Sequence, residues 1–169
     1  MGSRPVSNPA PRVDLLTFEL GGQRCALLAP DVVEVQRAVS IARLPRGPEI
    51  VEGVIDRRGQ VVPVLGIRSR FALPPSPLAP SDWLIFVRVP HPSGATRVAA
   101  IRVDRALDLV PVETGRIEDA RSLLAGVEHV AGVAKLDDGT VVIHDLRRFL
   151  SLEEHGALDR ALPGEGGEP

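Results

Sequence analysis

The stretch Gly53-Val-Ile-Asp-Arg-Arg-Gly-Gln-Val-Val-Pro-Val-Leu65 contains two apolar, β-branched runs separated by one charged turn. Runs of this kind favour strands, and Arg58-Gly59 supplies the two residues of a tight turn between them. The pattern therefore predicts an antiparallel hairpin. Pro63 has no amide hydrogen to donate to a neighbouring strand, so we expect it at a sheet edge or a bulge.

A second segment repeats this pattern about 80 residues later along the chain. Each copy contains a hairpin, a Gly-x-Val-Val return strand and a short basic turn that ends in Arg-Phe. The copies occupy residues 53–71 and 132–149. This distance is too long for a solenoid repeat and fits a duplicated small β unit. Since neither unit is large enough to bury a generous core alone, we expect them to pack side by side with a groove between them.

Short apolar runs and turn signals continue on both sides of these hairpins, and long helical patterns are scarce. Further strands are predicted at 16–20, 23–28, 34–39, 83–89, 96–104 and 107–112, and single helical turns near 30–31, 67–71 and 145–152. Four prolines between residues 74 and 80 predict a semi-stiff connector at 74–82. The chain is therefore predicted to be all-β, with these parts: a disordered leader at 1–12, a first barrel at about 13–73, a second barrel at about 83–152 and a flexible tail at 153–169.

Composition excludes several classes of partner. The 169 residues include 20 basic and 22 acidic side chains, so no global positive field attracts nucleic acid or an anionic membrane. Aromatic residues make up 3%, too few for a base-stacking platform. The single Cys25 excludes an intrachain disulfide and fits a reducing cytosol. No apolar run has the length of a membrane helix, and no secretion signal is recognisable, so we expect a cytoplasmic protein.

The residue types that carry catalysis do not converge in this sequence. None of the four histidines has a second His or Cys at metal-binding spacing. Cys25 lies in an alternating strand, where a small apolar residue is expected, and no positioned base accompanies it. No glycine-rich phosphate loop is present. We therefore expect no enzyme, no catalytic residue, no metal and no cofactor; a small β-barrel enzyme and a barrel-type nucleic-acid binder are the alternatives from other classes.

Two charged positions stand out against this background. Arg57 and Arg58 place two guanidinium groups at a tight turn, where a carboxylate of a partner could be bound in a bidentate manner. The alternative is a solvated hairpin tip without a binding role. Glu34 is a lone acid among valines, and it is either the outward residue of an edge strand or a binding contact.

Several of these stretches resemble CheW-type coupling domains, in the same order along the chain. The matching segments are 16–28 with Val-Val-Glu-Val at 32–35, Gly-Val-Ile-Asp-Arg-Arg-Gly-Gln-Val-Val-Pro-Val at 53–64, Ala-Ile-Arg-Val-Asp at 100–104, and the closing hairpin with its leucine-rich turn at 130–150. The family pattern for the second segment is Gly-Val-Ile-Asn-Leu-Arg-Gly-x-Ile/Val-Val-Pro-Ile/Val. The likeness spans about residues 13–152.

The resemblance implies two five-stranded barrels packed side by side, and an adaptor role. In this family one end of the first barrel contacts the regulatory domain of the histidine kinase CheA. The groove between the barrels takes the cytoplasmic tip of a chemoreceptor. Carried over to this chain, the partner-binding positions at the barrel end are Val32, Glu34, Gly53 and Arg58, with Arg57 beside them. The apolar positions that line the groove are Leu84, Ala99 and Ala100.

The sequence departs from the family pattern next to the expected interface. Asp56 and Arg57 replace Asn and Leu, and Gly66 replaces an Asp. Changes of charge at the rim of an interface alter specificity and association rate more than affinity. The departures leave open a second reading within the family, namely a divergent CheW-like subunit that serves motility or gene regulation with altered partners.

Overall fold

The structure is a computed structural model that describes residues 2, 8–119 and 129–162. Nearly all regular structure in these residues is β, as the sequence predicted. The strands are β1 (Arg12–Leu20), β2 (Gln23–Leu28), β3 (Val32–Arg37), β4 (Val51–Arg57), β5 (Gln60–Leu65), β6 (Trp83–Pro90), β7 (Thr96–Val103), β8 (Arg105–Glu113), β9 (Ile117–Asp119), β10 (Val130–Leu136) and β11 (Gly139–His144). One α-helix, α1 (Leu152–Ala161), and 3-10 turns at Ala29–Asp31, Ile67–Phe71, Thr114–Arg116 and Leu146–Arg148 complete the described chain.

The strands form two sheets, and each sheet draws strands from both sides of the proline connector. The six-stranded sheet has the order β8-β1-β2-β11-β10-β9, and the five-stranded sheet has the order β3-β6-β7-β5-β4. Neighbours are antiparallel except where β11 joins β2 and where β5 joins β7. The two sheets therefore do not coincide with the predicted segments 13–73 and 83–152, and the sheet that contains β1 has a sixth strand beyond the five predicted.

The mixing of strands from both sides of the connector has a simple physical origin. The sequence repeat is real, because β4–β5 and β10–β11 have equivalent places next to the parallel neighbour in each sheet. However, the hairpin β1–β2, which precedes the first copy in the sequence, pairs with β11 of the second copy. The hairpin β6–β7, which precedes the second copy, pairs with β5 of the first copy. Similar repeats can exchange equivalent hairpins, and internal similarity does not indicate which copy a strand pairs with.

The hairpin β4–β5 forms where the sequence predicted it. Arg58 and Gly59 have φ values of 53° and 84°, the positive angles of a type I′ turn. Pro63 lies in β5 between β7 and β4, but no residue of β7 pairs with it, so its side toward β7 is a local edge of the ladder, which fits the prediction. Its partner Val54 directs its amide and carbonyl groups to Ala42 instead, and the pairing with β7 begins only at Val64. The missing amide hydrogen of Pro63 therefore breaks no ladder bond.

Two kinds of apolar interior result from this topology. Alternate residues of β6 and β7 face the six-stranded sheet and form the large core between the sheets, which includes Phe18, Ile85, Val87, Ile101 and Phe149. The opposite faces of β6 and β7 enclose a second cluster within the five-stranded sheet. Both faces of these two strands are buried, which explains why their sequences are almost continuously apolar.

The C-terminal segment differs from its prediction. Residues 153–161 were expected in a flexible tail, and they belong to α1 instead. Ser151 Oγ accepts a hydrogen bond from the Glu154 amide at 3.1 Å, and the Glu154 carboxylate accepts one from the Ser151 amide at 3.2 Å. This capping box starts the helix, and His155 and Leu158 bury its inner face. Residues 163–169 of the predicted tail and residues 1 and 3–7 of the predicted leader lie outside the described residues, and Arg12 already belongs to β1. No helix in the described part is long and apolar enough to cross a membrane.

Candidate functional site

The tip of the β4–β5 hairpin presents an arginine to solvent. Arg58 is 82% exposed at its side chain, and its left-handed backbone conformation costs a residue with a Cβ atom about 1 kcal/mol. The turn is held by Asp56, whose Oδ1 accepts a hydrogen bond from the Gly59 amide at 2.7 Å. Asp56 therefore supports the turn, whereas Arg58 projects outward from it.

Arg57 does not project in the same way. Its Nη2 and Nε donate to Glu34 Oε2 at 2.6 and 3.1 Å, and its Cζ lies 5.4 Å from the centre of the Phe86 ring. The hydrogen bond from Arg57 is the main reason why the pKa of Glu34 is lowered from its ordinary value. Only 18% of the Arg57 side chain and 28% of the Glu34 side chain are exposed. The two residues form a half-buried ion pair.

This pair closes the five-stranded sheet. Glu34 lies on β3 and Arg57 on β4, which are the two edge strands in the order β3-β6-β7-β5-β4. A contact between the two edges requires the sheet to curl around its apolar interior. The loop between β3 and β4 strengthens the closure, because Ala42 and Val54 exchange backbone hydrogen bonds of 2.7 and 2.9 Å. The charged tip therefore stands on a closed and rigid support.

Of the other positions predicted near the tip, Val32 is half-buried at the start of β3, where it packs against the core between the sheets. Gly53 is buried within β4, and its contact with a partner stays a prediction. A Cβ atom there would lie 2.2 Å from the carbonyl oxygen of Ala42. A Cβ atom on Gly132, its counterpart in the second repeat, would similarly lie 2.7 Å from Glu118 O. Both glycines admit a second backbone at close range.

The positions predicted to line a groove are not on a surface. Leu84, Ala99 and Ala100 are all 0% exposed. Leu84 and Ala100 belong to the interior of the five-stranded sheet, and Ala99 belongs to the core between the sheets. In this structure these three side chains do not line an open apolar groove, because they pack inside the chain's own apolar clusters.

Sequence reasoning missed one exposed apolar residue at the tip. Val61 is 43% exposed at the start of β5, opposite Asp56 and two residues beyond the turn. Val62, Val64 and Leu65 of the same strand are fully buried. The alternation of side chains between the two faces of a strand could have indicated that Val61 is exposed, but its apolar type favours a buried position. Arg58 and Val61 together give the tip a cationic and an apolar contact.

Sequence reasoning also missed the ion network that anchors the connector. Arg102 is buried on β7 and donates to Glu52 at 2.7 and 2.9 Å, to Asp82 Oδ2 at 2.8 Å and to Ser76 O at 2.6 Å. Burial alone would lower the pKa of Arg102, but the hydrogen bonds to the two carboxylates raise it. The network fixes residues 76–82 against β4 and β7. Asp82 and Glu52 lie 20 and 50 residues from Arg102 in the sequence, so no local pattern predicts these contacts.

Cys25 and His144, two residue types that often serve in catalysis, are both buried. Burial raises the pKa of the Cys25 thiol to about 11, so the thiol is protonated at neutral pH and is a poor nucleophile. His144 lies with its ring centroid 4.4 Å from that of Phe71, and burial lowers its pKa to about 4. Among the described residues, no cluster of three or more His, Cys, Asp or Glu could hold a metal ion.

Comparisons with known proteins agree with the architecture. Residues 14–154 match the CheW-like domain family. The chemotaxis protein CheW of Klebsiella aerogenes is 24% identical over 148 residues, 86% of each chain, and that of Treponema pallidum is 21% identical over 152 residues, 89% of each chain. The crystal structure of the scaffolding protein TtCheW from Thermoanaerobacter tengcongensis superposes with a TM-score of 0.74 and 27% identity, covering 85% of this chain and 96% of that one. The chain belongs to the CheW-like domain family.

Proposed function

We propose that this chain is a non-enzymatic adaptor that couples chemoreceptors to a CheA-type histidine kinase in a chemosensory array. Family membership supports the proposal, since relatives bear the name chemotaxis protein CheW and the similar solved structure is described as a scaffolding protein. On this proposal the chain acts in the cytoplasm at receptor arrays, without nucleic acid and without insertion into the membrane.

The observation that carries the proposal is the conformation of Arg58. A solvent-exposed side chain on a left-handed backbone adds little to the stability of its own chain, and Asn, Asp or Gly would suit this turn better. A residue kept in an unfavourable backbone conformation is a candidate for function. A guanidinium group that points into solvent can bind a carboxylate of a partner through two parallel hydrogen bonds.

We assign the kinase contact to the β4–β5 tip, where Arg58 is flanked by the exposed Val61. Interfaces concentrate their binding energy in a few residues, among which arginine is enriched, while surrounding contacts exclude water. A receptor helix needs an apolar surface as well. Since Leu84, Ala99 and Ala100 are buried, this contact falls to exposed apolar side chains such as Val39, which follows β3.

The proposal is tested by the affinity of the full chain for the regulatory domain of the array kinase encoded in the same genome, measured by isothermal titration calorimetry. Arg58→Glu should weaken binding at least about tenfold, because it removes a charged hydrogen-bonding partner and adds a repulsive charge. Arg105→Glu is the matched control, since Arg105 is exposed on β8 in the other sheet. Its affinity should stay within about twofold of the parent, as expected for a charge outside the interface.

Circular dichroism and urea unfolding of both variants should match the parent, so that a loss of affinity reports on the surface. The site assignment fails if Arg58→Glu binds as tightly as the parent, or if Arg105→Glu loses as much. The adaptor proposal itself fails if the unmodified chain binds neither the kinase domain nor the cytoplasmic fragment of a receptor from the same genome.

A further inference from the structure

Arg57 departs from the family pattern, and it forms an ion pair with Glu34. The family motif has Leu at this position, immediately before the tip arginine. In this chain the Arg57 guanidinium group reaches back across the edges of the sheet and holds the Glu34 carboxylate with two hydrogen bonds of 2.6 and 3.1 Å. A leucine could make neither bond.

The contact changes the charge that the tip offers to a partner. Glu34 accepts both hydrogen bonds from Arg57, and its Oε2 also forms a longer ion pair with Arg58 Nη2 at 4.0 Å, without a hydrogen bond. Arg58 remains 82% exposed, against 28% for Glu34 and 18% for Arg57. A partner cation that approached Glu34 would have to displace a bound guanidinium group. A partner carboxylate that approached Arg58 would meet a side chain that is 82% exposed and whose ion pair with Glu34 is 4.0 Å long.

We infer that Arg57 is a specificity-determining residue, because it holds Glu34 in an internal ion pair. The tip then favours a partner surface that bears a carboxylate and disfavours one that places a cation opposite Glu34. The inference rests on the proposed function, because it concerns the kinase domain that binds the tip. A binding site can gain specificity in two ways: it offers a favourable contact to the correct partner, and it denies a contact to the wrong partner.

Arg57 also contributes to the fold, because its guanidinium group lies over Phe86 and joins β4 to β3. A purely structural role predicts that breaking the pair from either side weakens binding to every partner alike. The specificity role predicts opposite effects. Arg57→Leu releases a carboxylate at the tip, whereas Glu34→Gln removes that carboxylate and leaves both arginines in place.

The test measures affinities of the full chain for two probes by calorimetry. One probe is the regulatory domain of the array kinase from the same genome. The other is the regulatory domain of a kinase whose own coupling protein has Leu at the position of Arg57. The parent chain should prefer the first domain. Arg57→Leu should reduce that preference about tenfold, and Glu34→Gln should keep or raise it. Arg57→Lys, which retains a cation beside Glu34, should restore most of the preference lost in Arg57→Leu.

Urea unfolding of each variant separates stability from specificity. The inference is overturned if Arg57→Leu leaves the ratio of the two affinities unchanged, or if Glu34→Gln and Arg57→Leu shift it in the same direction. It is also overturned if the parent binds both domains equally well. Failure of the proposed function looks different, because then the parent chain binds neither domain and Arg58→Glu has no effect.

Discussion

Leu84→Ala distinguishes a core residue from a partner contact, because the two roles predict losses in different measurements. The Leu84 side chain is fully buried and packs in a cluster with Ile55, Val62, Phe86 and Ala100. Truncation of a buried leucine costs about 2–5 kcal/mol, and the cost is larger where the surroundings cannot collapse into the cavity. β6 is an interior strand held by neighbours on both sides, so we expect a loss of about 3 kcal/mol in the free energy of unfolding.

The assay is urea unfolding of the full chain, followed by far-ultraviolet circular dichroism because Trp83 is adjacent to the substitution. A loss of 3 kcal/mol corresponds to a fall in Tm of about 6–12 °C for a chain of this size. Leu109→Ala is the matched control, since Leu109 is 66% exposed on β8, and it should change stability by less than about 0.5 kcal/mol. The reasoning is refuted if Leu84→Ala loses less than about 1 kcal/mol of stability and yet loses affinity for a receptor fragment.

Two further predictions concern the support of the tip and the core. Gly53→Ala should destabilise the chain by about 3 kcal/mol, because its Cβ atom would lie 2.2 Å from Ala42 O; a loss under about 1 kcal/mol in urea unfolding would contradict this close approach. Acidification from about pH 6.5 to pH 4 should lower the free energy of unfolding by at most about 3 kcal/mol, because burial lowers the pKa of His144 to about 4 and the unfolded chain binds a proton that the native ring does not. His144→Phe should remove most of this slope, and an unchanged slope in that variant would assign the pH dependence to other groups.

The sequence predicted those parts of the fold that depend on neighbouring residues. The hairpin β4–β5 was predicted almost to the residue, because β-branched runs and Arg58-Gly59 act locally. The start of α1 had a local signal as well, the Ser151-x-x-Glu154 capping box, which went unrecognised beside the flexible composition that follows it. The pairing of hairpins across the two repeats could not be predicted, because β2 with β11 and β5 with β7 are similar partners that meet only through contacts distant in the sequence.

The site shows the same limit. Residue type indicated that Arg58 is exposed and that Leu84 is apolar, but it could not tell an apolar groove from an apolar interior. That distinction depends on the curl of the five-stranded sheet. The ion pair between Glu34 and Arg57 was equally hidden, since these residues are 23 positions apart and become neighbours only when the two edge strands meet.

The closure of this sheet also determines how a partner can be recognised. An exposed strand edge offers unpaired backbone groups and recruits other strands with little selectivity. Here the edge of β4 is occupied, because Ala42 takes the free backbone groups of Val54 and Arg57 spans the remaining gap to Glu34. A partner that approaches the tip therefore finds the side chains of Arg58 and Val61 in place of a vacant hydrogen-bonding ladder. Recognition by side chains makes the interaction sensitive to single charges, so we expect one substitution at Arg57 to change the preference between partners.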